Sequence, residues 1–189
     1  MRTMAIVTIG GHVGAGKTTL ASRLAKALGY EELYIGGIFR ELAAERGMTI
    51  EEFYARLKDD PKLEQSIDER QAKLMREQDD LVVQGRVAWF FSKGSMFTVF
   101  NVFLAVSPEA GAARSLLRSE NAGRSESDMR RANAERMRHE VERYRKLYDI
   151  ENFLDPGHYD FVLDTSDLAE DEVLDIVIAK LKDRIAEDI

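Results

Sequence analysis

Met4-Ala5-Ile6-Val7-Thr8-Ile9-Gly10-Gly11-His12-Val13-Gly14-Ala15-Gly16-Lys17-Thr18-Thr19 decides how the rest of the chain is read. Residues 4–9 are apolar without alternation, the pattern of a strand covered on both faces, as in a parallel sheet. Gly11 to Thr18 then fits G-x-x-x-x-G-K-[ST], a phosphate-binding loop. Its glycines let backbone N–H groups turn inward around phosphate oxygens, where side chains would obstruct them. The helix that begins at Lys17 points its positive dipole end at the same anion. Lys17 can reach the β and γ phosphates of a nucleoside triphosphate, and the Thr18 hydroxyl can ligate the Mg²⁺ that the nucleotide carries. The pattern alone matches chains that bind nothing, but here a buried-type strand precedes it and a helix follows. His12 occupies no defined position in the loop and is expected to face solvent. His12, His139 and His158 show no metal-ligand spacing.

Working outward, Leu20, Leu24 and Leu28 recur at helical spacing and stop at Gly29, a plausible C-cap. Strands are expected at residues 32–35, Leu81–Gln84, 99–106 and 161–163. A helix is expected at 38–46, ending at Gly47. Another opens at Thr49, with Glu52 completing a capping box, and a third at Asp60-Pro61, with Leu63, Ile67 and Leu74 on its stripe. Pro108 opens a helix running to about residue 118. Residues 119–127 are small and polar, a loop expected to be mobile, and a long helix follows to about 148. Val173, Val177, Leu181 and Ile185 mark a closing helix. Strands alternating with helices predict a parallel sheet covered on both sides. No repeat or linker divides the 189 residues, so one domain is expected.

The chain is 44% apolar and has no cysteine, which excludes disulfides, thiolate metal sites and cysteine nucleophiles. No apolar run approaches the roughly 20 residues of a membrane span. The N-terminus enters a strand directly, leaving no room for a signal peptide, and a cytoplasmic setting is expected. A net charge of -7 argues against a nucleic-acid partner. Residues 114–146 nevertheless concentrate arginine. Such an arm suits a small anionic ligand, and equally a solvated helix face.

The loop serves GTPases, ATPases and small kinases alike. A GTPase needs a guanine-reading N-K-x-D segment, which is absent; Asp164-Thr165-Ser166 is the only late-strand candidate. A small-molecule kinase needs a second anion site and a closing lid that keeps water from the γ-phosphate. Ile35-Gly36-Gly37-Ile38-Phe39-Arg40 follows the second strand, and Gln84-Gly85-Arg86 the third. In a parallel sheet both lie at the C-terminal edge, where ligands sit. Arg40 and Arg86 converging there could hold an acceptor phosphate. Spacings of four and three place Arg136, Glu140 and Arg143 on one helix face, where Glu140 can brace both guanidinium groups. Met137, Val141, Tyr144 and Tyr148 would bury that helix. The same spacing suits the return arm of a lid or an exposed ion-pair ladder.

G-x-x-G-A-G-K-T-T, I-G-G-I-F-R-E-L-A-A-E-R-G-M-T-I-E-E-F, Q-G-R, R-x-x-x-E-x-x-R-Y-x-x-x-Y and Y-D-F-V-L-D-T-S follow one another over nearly the whole length. In this combination the sequence resembles the short, archaeal-type cytidylate kinases of the nucleoside monophosphate kinase superfamily. The resemblance implies a P-loop NTPase fold, with a five-stranded parallel sheet flanked by helices. The core would comprise residues 1–35, 78–115 and 131–189, with an acceptor-binding region at about 36–77 and a lid at about 116–130. It implies transfer of the ATP γ-phosphate to CMP or dCMP with Mg²⁺ as cofactor, in a monomer. UMP, AMP or a non-nucleotide acceptor are the alternatives, and a non-catalytic nucleotide sensor is an alternative of another class. ATP would be held by Gly11, His12, Val13, Gly14, Ala15, Gly16, Lys17, Thr18 and Thr19, with Thr18 on the metal. Arg114 and Arg118 would contact the donor or else lie on the surface. The acceptor would meet Gly37, Arg40, Gly85, Arg86, Arg136, Glu140 and Arg143, and Lys17, Arg136 and Arg143 would be catalytic. Two positions depart from the family pattern: Gln84 where an acid is usual, and Gly36 where a hydroxyl or small residue is usual.

Overall fold

A computed structural model describes residues 5–57, 61–118 and 121–187. Its centre is β1 (Ala5–Gly11), buried along its whole length as its unbroken apolar run requires. β3 (Leu81–Gln84) and β4 (Thr98–Ala105) flank it, and β2 (Glu31–Tyr34) and β5 (Phe161–Asp164) form the edges. All neighbours run parallel, in the order β2-β3-β1-β4-β5. This is the expected five-stranded P-loop sheet. Met4, expected in the first strand, lies outside the described residues, as do Asp60 and Ser119.

The helices are α1 (Lys17–Leu28), α2 (Ile35–Glu45), α3 (Ile50–Leu57), α4 (Pro61–Glu77), α5 (Ala88–Phe91), α6 (Pro108–Leu116), α7 (Glu126–Tyr148) and α8 (Glu170–Glu187). On one face of the sheet, Leu20 and Leu24 of α1 and Val173, Val177 and Leu181 of α8 pack on Val7, Ile9, Val82, Val102 and Leu104. Each such side chain contributes about 1.5–3 kcal/mol on full burial. On the other face, Phe39, Phe53, Leu57, Ile67 and Met75 of α2–α4 cover Ile6, Leu81 and Val83. A third cluster joins Trp89 of α5 and Phe153 to the inner stripe of α7, where Met137, Val141, Tyr144 and Tyr148 are partly buried as their spacing predicts.

Local signals set most element ends. Gly29 caps α1 in the left-handed conformation, donating to the Ala25 carbonyl. The Thr49–Glu52 capping box closes in both directions, at 3.2 and 2.8 Å. Ser107 caps α6 ahead of Pro108, and a second capping box, Ser125 with Asp128, starts α7. The boundary after β2 differs from expectation. Helix α2 begins at Ile35, with no intervening loop, so Gly36 and Gly37 lie in its first turn. The helix is expected only from residue 38, but the glycine pair, without side chains, admits the Tyr34 ring against that first turn. Short α5 and a 3₁₀ turn at Pro156–His158 carry too few residues to show a period.

Candidate active site

The loop between β1 and α1 lies at the C-terminal edge of the sheet, pressed from two sides. Gly14 has φ 79°, and a Cβ there would come within 2.3 Å of the Gly111 carbonyl oxygen. A Cβ on Gly111 of α6 would in turn meet the Val13 oxygen at 2.9 Å. Facing glycines therefore let helix α6 touch the loop backbone. From β4, the Leu104 carbonyl accepts from His12 N–H at 3.0 Å. After β5, the Thr165 hydroxyl contacts the carbonyls of Ala15 and Ala105 at 3.2 and 3.1 Å. Arg114 donates to the Thr165 hydroxyl, the Thr165 carbonyl (2.6 Å) and the Ser166 carbonyl. Arg114 thus braces the turn that braces the loop. Val13 and Ala15 are buried; Gly16 and Thr18 are exposed, with Thr19 half-buried.

Lys17 folds its ammonium back onto the His12 carbonyl. Burial holds its pKa well below the usual lysine range, and Arg86, Arg136 and Arg118 push the same way while Glu140 opposes them. His12 does not face solvent as expected. Its ring is half-buried, edge-on to Phe103 at 5.2 Å, and Nδ1 accepts from Val106 N–H at 3.2 Å. The neighbouring strand offers an aromatic face and a free N–H, which motif spacing cannot reveal. Burial lowers the His12 pKa, and the Lys17 and Arg86 charges add to that effect.

Arg86 and Glu140 meet across the site. Arg86 Nη1 donates to the Gly11 carbonyl at 2.7 Å. Its Nε lies 2.7 Å from Glu140 Oε2, a contact of charges rather than an aimed hydrogen bond. Arg136 Nε donates to Glu140 Oε1 at 3.0 Å. The side chains of Arg86 and Glu140 are only 13% and 14% exposed. Burial pushes the Glu140 pKa up, but Arg86 and Arg136 outweigh it and hold the carboxyl below its ordinary value. The expected bracing of both Arg136 and Arg143 by Glu140 is corrected here: the second partner is Arg86. Arg143 is turned to α2 instead, 5.7 Å from the Phe39 ring and 5.5 Å from Tyr144. The spacing puts Arg143 within reach of Glu140, but Arg86, just past the end of β3, lies closer and takes the second carboxylate oxygen.

Arg40, exposed on α2, donates to the Tyr34 hydroxyl at 2.5 Å. Gly85 packs its Cα against Ile35 and Ala88, and Gly37 lies under the Tyr34 ring. Gln84 is buried at the end of β3, and its Oε1 has no hydrogen-bond partner among the described residues. Lys17, Arg86, Arg118, Arg136 and Glu140 thus act on one another electrostatically, while Arg40 is held by Tyr34 at the end of β2 and Arg143 lies against Phe39 of α2. Thr165, Gly111 and Tyr34 escaped sequence reasoning. Asp164-Thr165-Ser166, a late-strand motif that also closes the Y-D-F-V-L-D-T-S segment, is the available signal for Thr165. Among the described residues no cluster of three His, Asp or Glu could hold a metal by itself, and no helix is long and apolar enough to cross a membrane.

The model of the cytidylate kinase-like family matches residues 6–167. A cytidylate kinase of Methanopyrus kandleri is 38% identical, over 93% of this chain and 92% of its own length. That of Methanocella arvoryzae is 37% identical, over 85% and 87%. Among solved structures, a shikimate kinase from Bacteroides thetaiotaomicron superposes with a TM-score of 0.63 over 95% of this chain and 99% of its own, at 15% identity. That likeness concerns the fold alone.

Proposed function

The chain belongs to the cytidylate kinase-like family, and we propose that it transfers the γ-phosphate of ATP to CMP or dCMP, giving ADP and the diphosphate. The observation that carries this reading is the convergence of Lys17, Arg86, Arg118 and Arg136 on the loop with Glu140 as the balancing carboxylate. An excess of positive charge around the loop, with Arg86 largely buried and Arg118 and Arg136 open to solvent, is a site for phosphates.

The phosphate oxygen of the acceptor is already an anionic nucleophile, so the reaction needs no strong base. It attacks the γ-phosphorus in line as the bond to the bridging β–γ oxygen breaks, and ADP leaves with that electron pair. The protein positions the two nucleotides and neutralises the transferring group through Lys17, Arg136 and Arg143. Residues 11–19 would hold the ATP phosphates, with Arg114 and Arg118 toward the donor. Gly37, Arg40, Gly85, Arg86 and Glu140 would line the acceptor side. Residues 36–77 would form the acceptor region and 116–130 the lid. Exposed Thr18, and Gln84, whose buried oxygen has no hydrogen-bond partner among the described residues, are the residues that would hold Mg²⁺. Bound with ATP, Mg²⁺ would neutralise charge on the β and γ oxygens. The protein is read as a cytoplasmic monomer.

An assay of ADP release with CMP, dCMP, UMP and AMP tests this directly. The expected outcome is turnover greatest with CMP or dCMP. Preference for UMP or AMP would reassign the acceptor, and ATP binding without turnover of any monophosphate would mark a sensor.

A further inference from the structure

We propose that Tyr34 and Arg40 form one clamp for the phosphate of the acceptor, a dianionic phosphate monoester; the inference rests on the acceptor reading above. Tyr34 is the last residue of edge strand β2, and α2 follows it without a loop. Its ring lies across the first turn of that helix. A Cβ on Gly36 would come within 2.9 Å of the ring, and one on Gly37 within 2.8 Å. The two glycines leave bare backbone on which the ring rests, and this fixes where its hydroxyl points.

One turn along α2 from Gly36, Arg40 meets that hydroxyl. Its Nη1 donates to the phenol oxygen at 2.5 Å, and its Cζ stands 5.8 Å from the ring centroid. The guanidinium is therefore oriented by a neutral oxygen. Arg86 and Arg136 differ, since Glu140 takes up part of their charge, whereas no carboxylate among the described residues pairs with Arg40. A guanidinium has five N–H donors, and a phenol that accepts one still has its own O–H to donate. Tyr34 and Arg40 together thus offer a fixed cation and a neutral donor at the C-terminal edge of the sheet, a combination suited to a phosphate with several acceptor oxygens. The arrangement also accounts for Gly36: any side chain there would displace the ring.

The test is a double-mutant cycle with monophosphate and ATP varied separately. Tyr34→Phe keeps the ring and should raise KM for the monophosphate about tenfold, the scale of a charge-assisted hydrogen bond, with KM for ATP unchanged. In an Arg40→Ala background the same change should alter KM by less than about twofold, because the two groups act as a unit. Gly36→Ala should raise monophosphate KM in the presence of Tyr34 and have little further effect beside Tyr34→Phe. Thermal melting of each variant identifies any that fail to fold, and Tyr34→Phe and Gly36→Ala perturb the clamp independently. A neutral Tyr34→Phe in an active enzyme, equal effects on both substrates, or additive effects with Arg40→Ala would overturn the clamp alone. Wild-type protein that turns over no monophosphate would overturn the kinase reading with it.

Discussion

Lys17 sits among Arg86, Arg136 and Arg118, and burial disfavours its charge further. Without nucleotide this arrangement destabilises the fold. Lys17→Ala should therefore lower kcat by about two to three orders of magnitude, as loss of one positioned charge does, and raise the melting temperature of the unliganded protein. Because the folded pKa lies below the unfolded value, the unfolded chain binds the proton more tightly. The penalty should then fade as pH rises through the folded pKa toward about 10.4, which urea denaturation across that range would show. Glu140 has the opposite sign. Its depressed pKa contributes stability that is present above about pH 4.3 and lost as pH falls through the folded value. Removing one partner of a buried pair costs about 3–5 kcal/mol, so Glu140→Gln should be destabilised on that scale at neutral pH. The gap to the wild type should narrow in acid, and a gap independent of pH would show that Glu140 is not the paired anion. At Gln84 the amide can accept from metal-bound water but offers no negative charge to a hard cation. Gln84→Glu should therefore lower the half-saturating Mg²⁺ concentration at saturating nucleotide, and no change would mean that ATP and Thr18 dominate metal binding.

Among the elements, the α6–α7 hairpin is the one expected to move. Its base is fastened: Gly111 and Ser115 are buried, Met129 is buried, Arg130 pairs with Glu109 at 3.1 Å, and Asn133 donates to the Ser115 hydroxyl at 3.3 Å. Toward the tip, Leu117 is 86% exposed. Asn121 donates to the Ser115 carbonyl and Arg124 to Asn121 at the limit of hydrogen-bond length. A segment with so few apolar anchors exchanges its amides readily until a ligand orders it. Hydrogen exchange across residues 119–127 should slow markedly with a bisubstrate analogue bound and change little in α8. Equal protection with and without the analogue would show that the hairpin does not close. The acceptor side is fastened differently, by the Tyr148 hydroxyl at the end of α7, which donates to buried Asp68 of α4.

Across the molecule, the exposed large hydrophobic residues among the described residues are Met96, Leu117 and Val162, on three separate elements or turns. Scattered singly, they do not make an association patch, and the net charge of -7 opposes self-association. Light scattering behind gel filtration should return a mass near 21.5 kDa, and a stable dimer would contradict the monomer reading. The sheet, its parallel direction and the phosphate loop were legible in the sequence because each depends on neighbours within a few residues: the unbroken run of β1, the leucines of α1, the glycines ahead of Lys17. The C-cap at Gly29, the capping box at Thr49 and the helix start at Pro108 were legible for the same reason. The pairing of Glu140 with Arg86, the seat of His12 against Phe103, the brace from Thr165 and the Tyr34 ring over α2 were not. Each joins side chains from different elements, and helical spacing fixes only the face a residue occupies, never what the sheet brings opposite it. Local periodicity and motif thus determined the fold and the place where phosphates bind. Tertiary packing alone decided which charges are paired, and so which remain for a substrate.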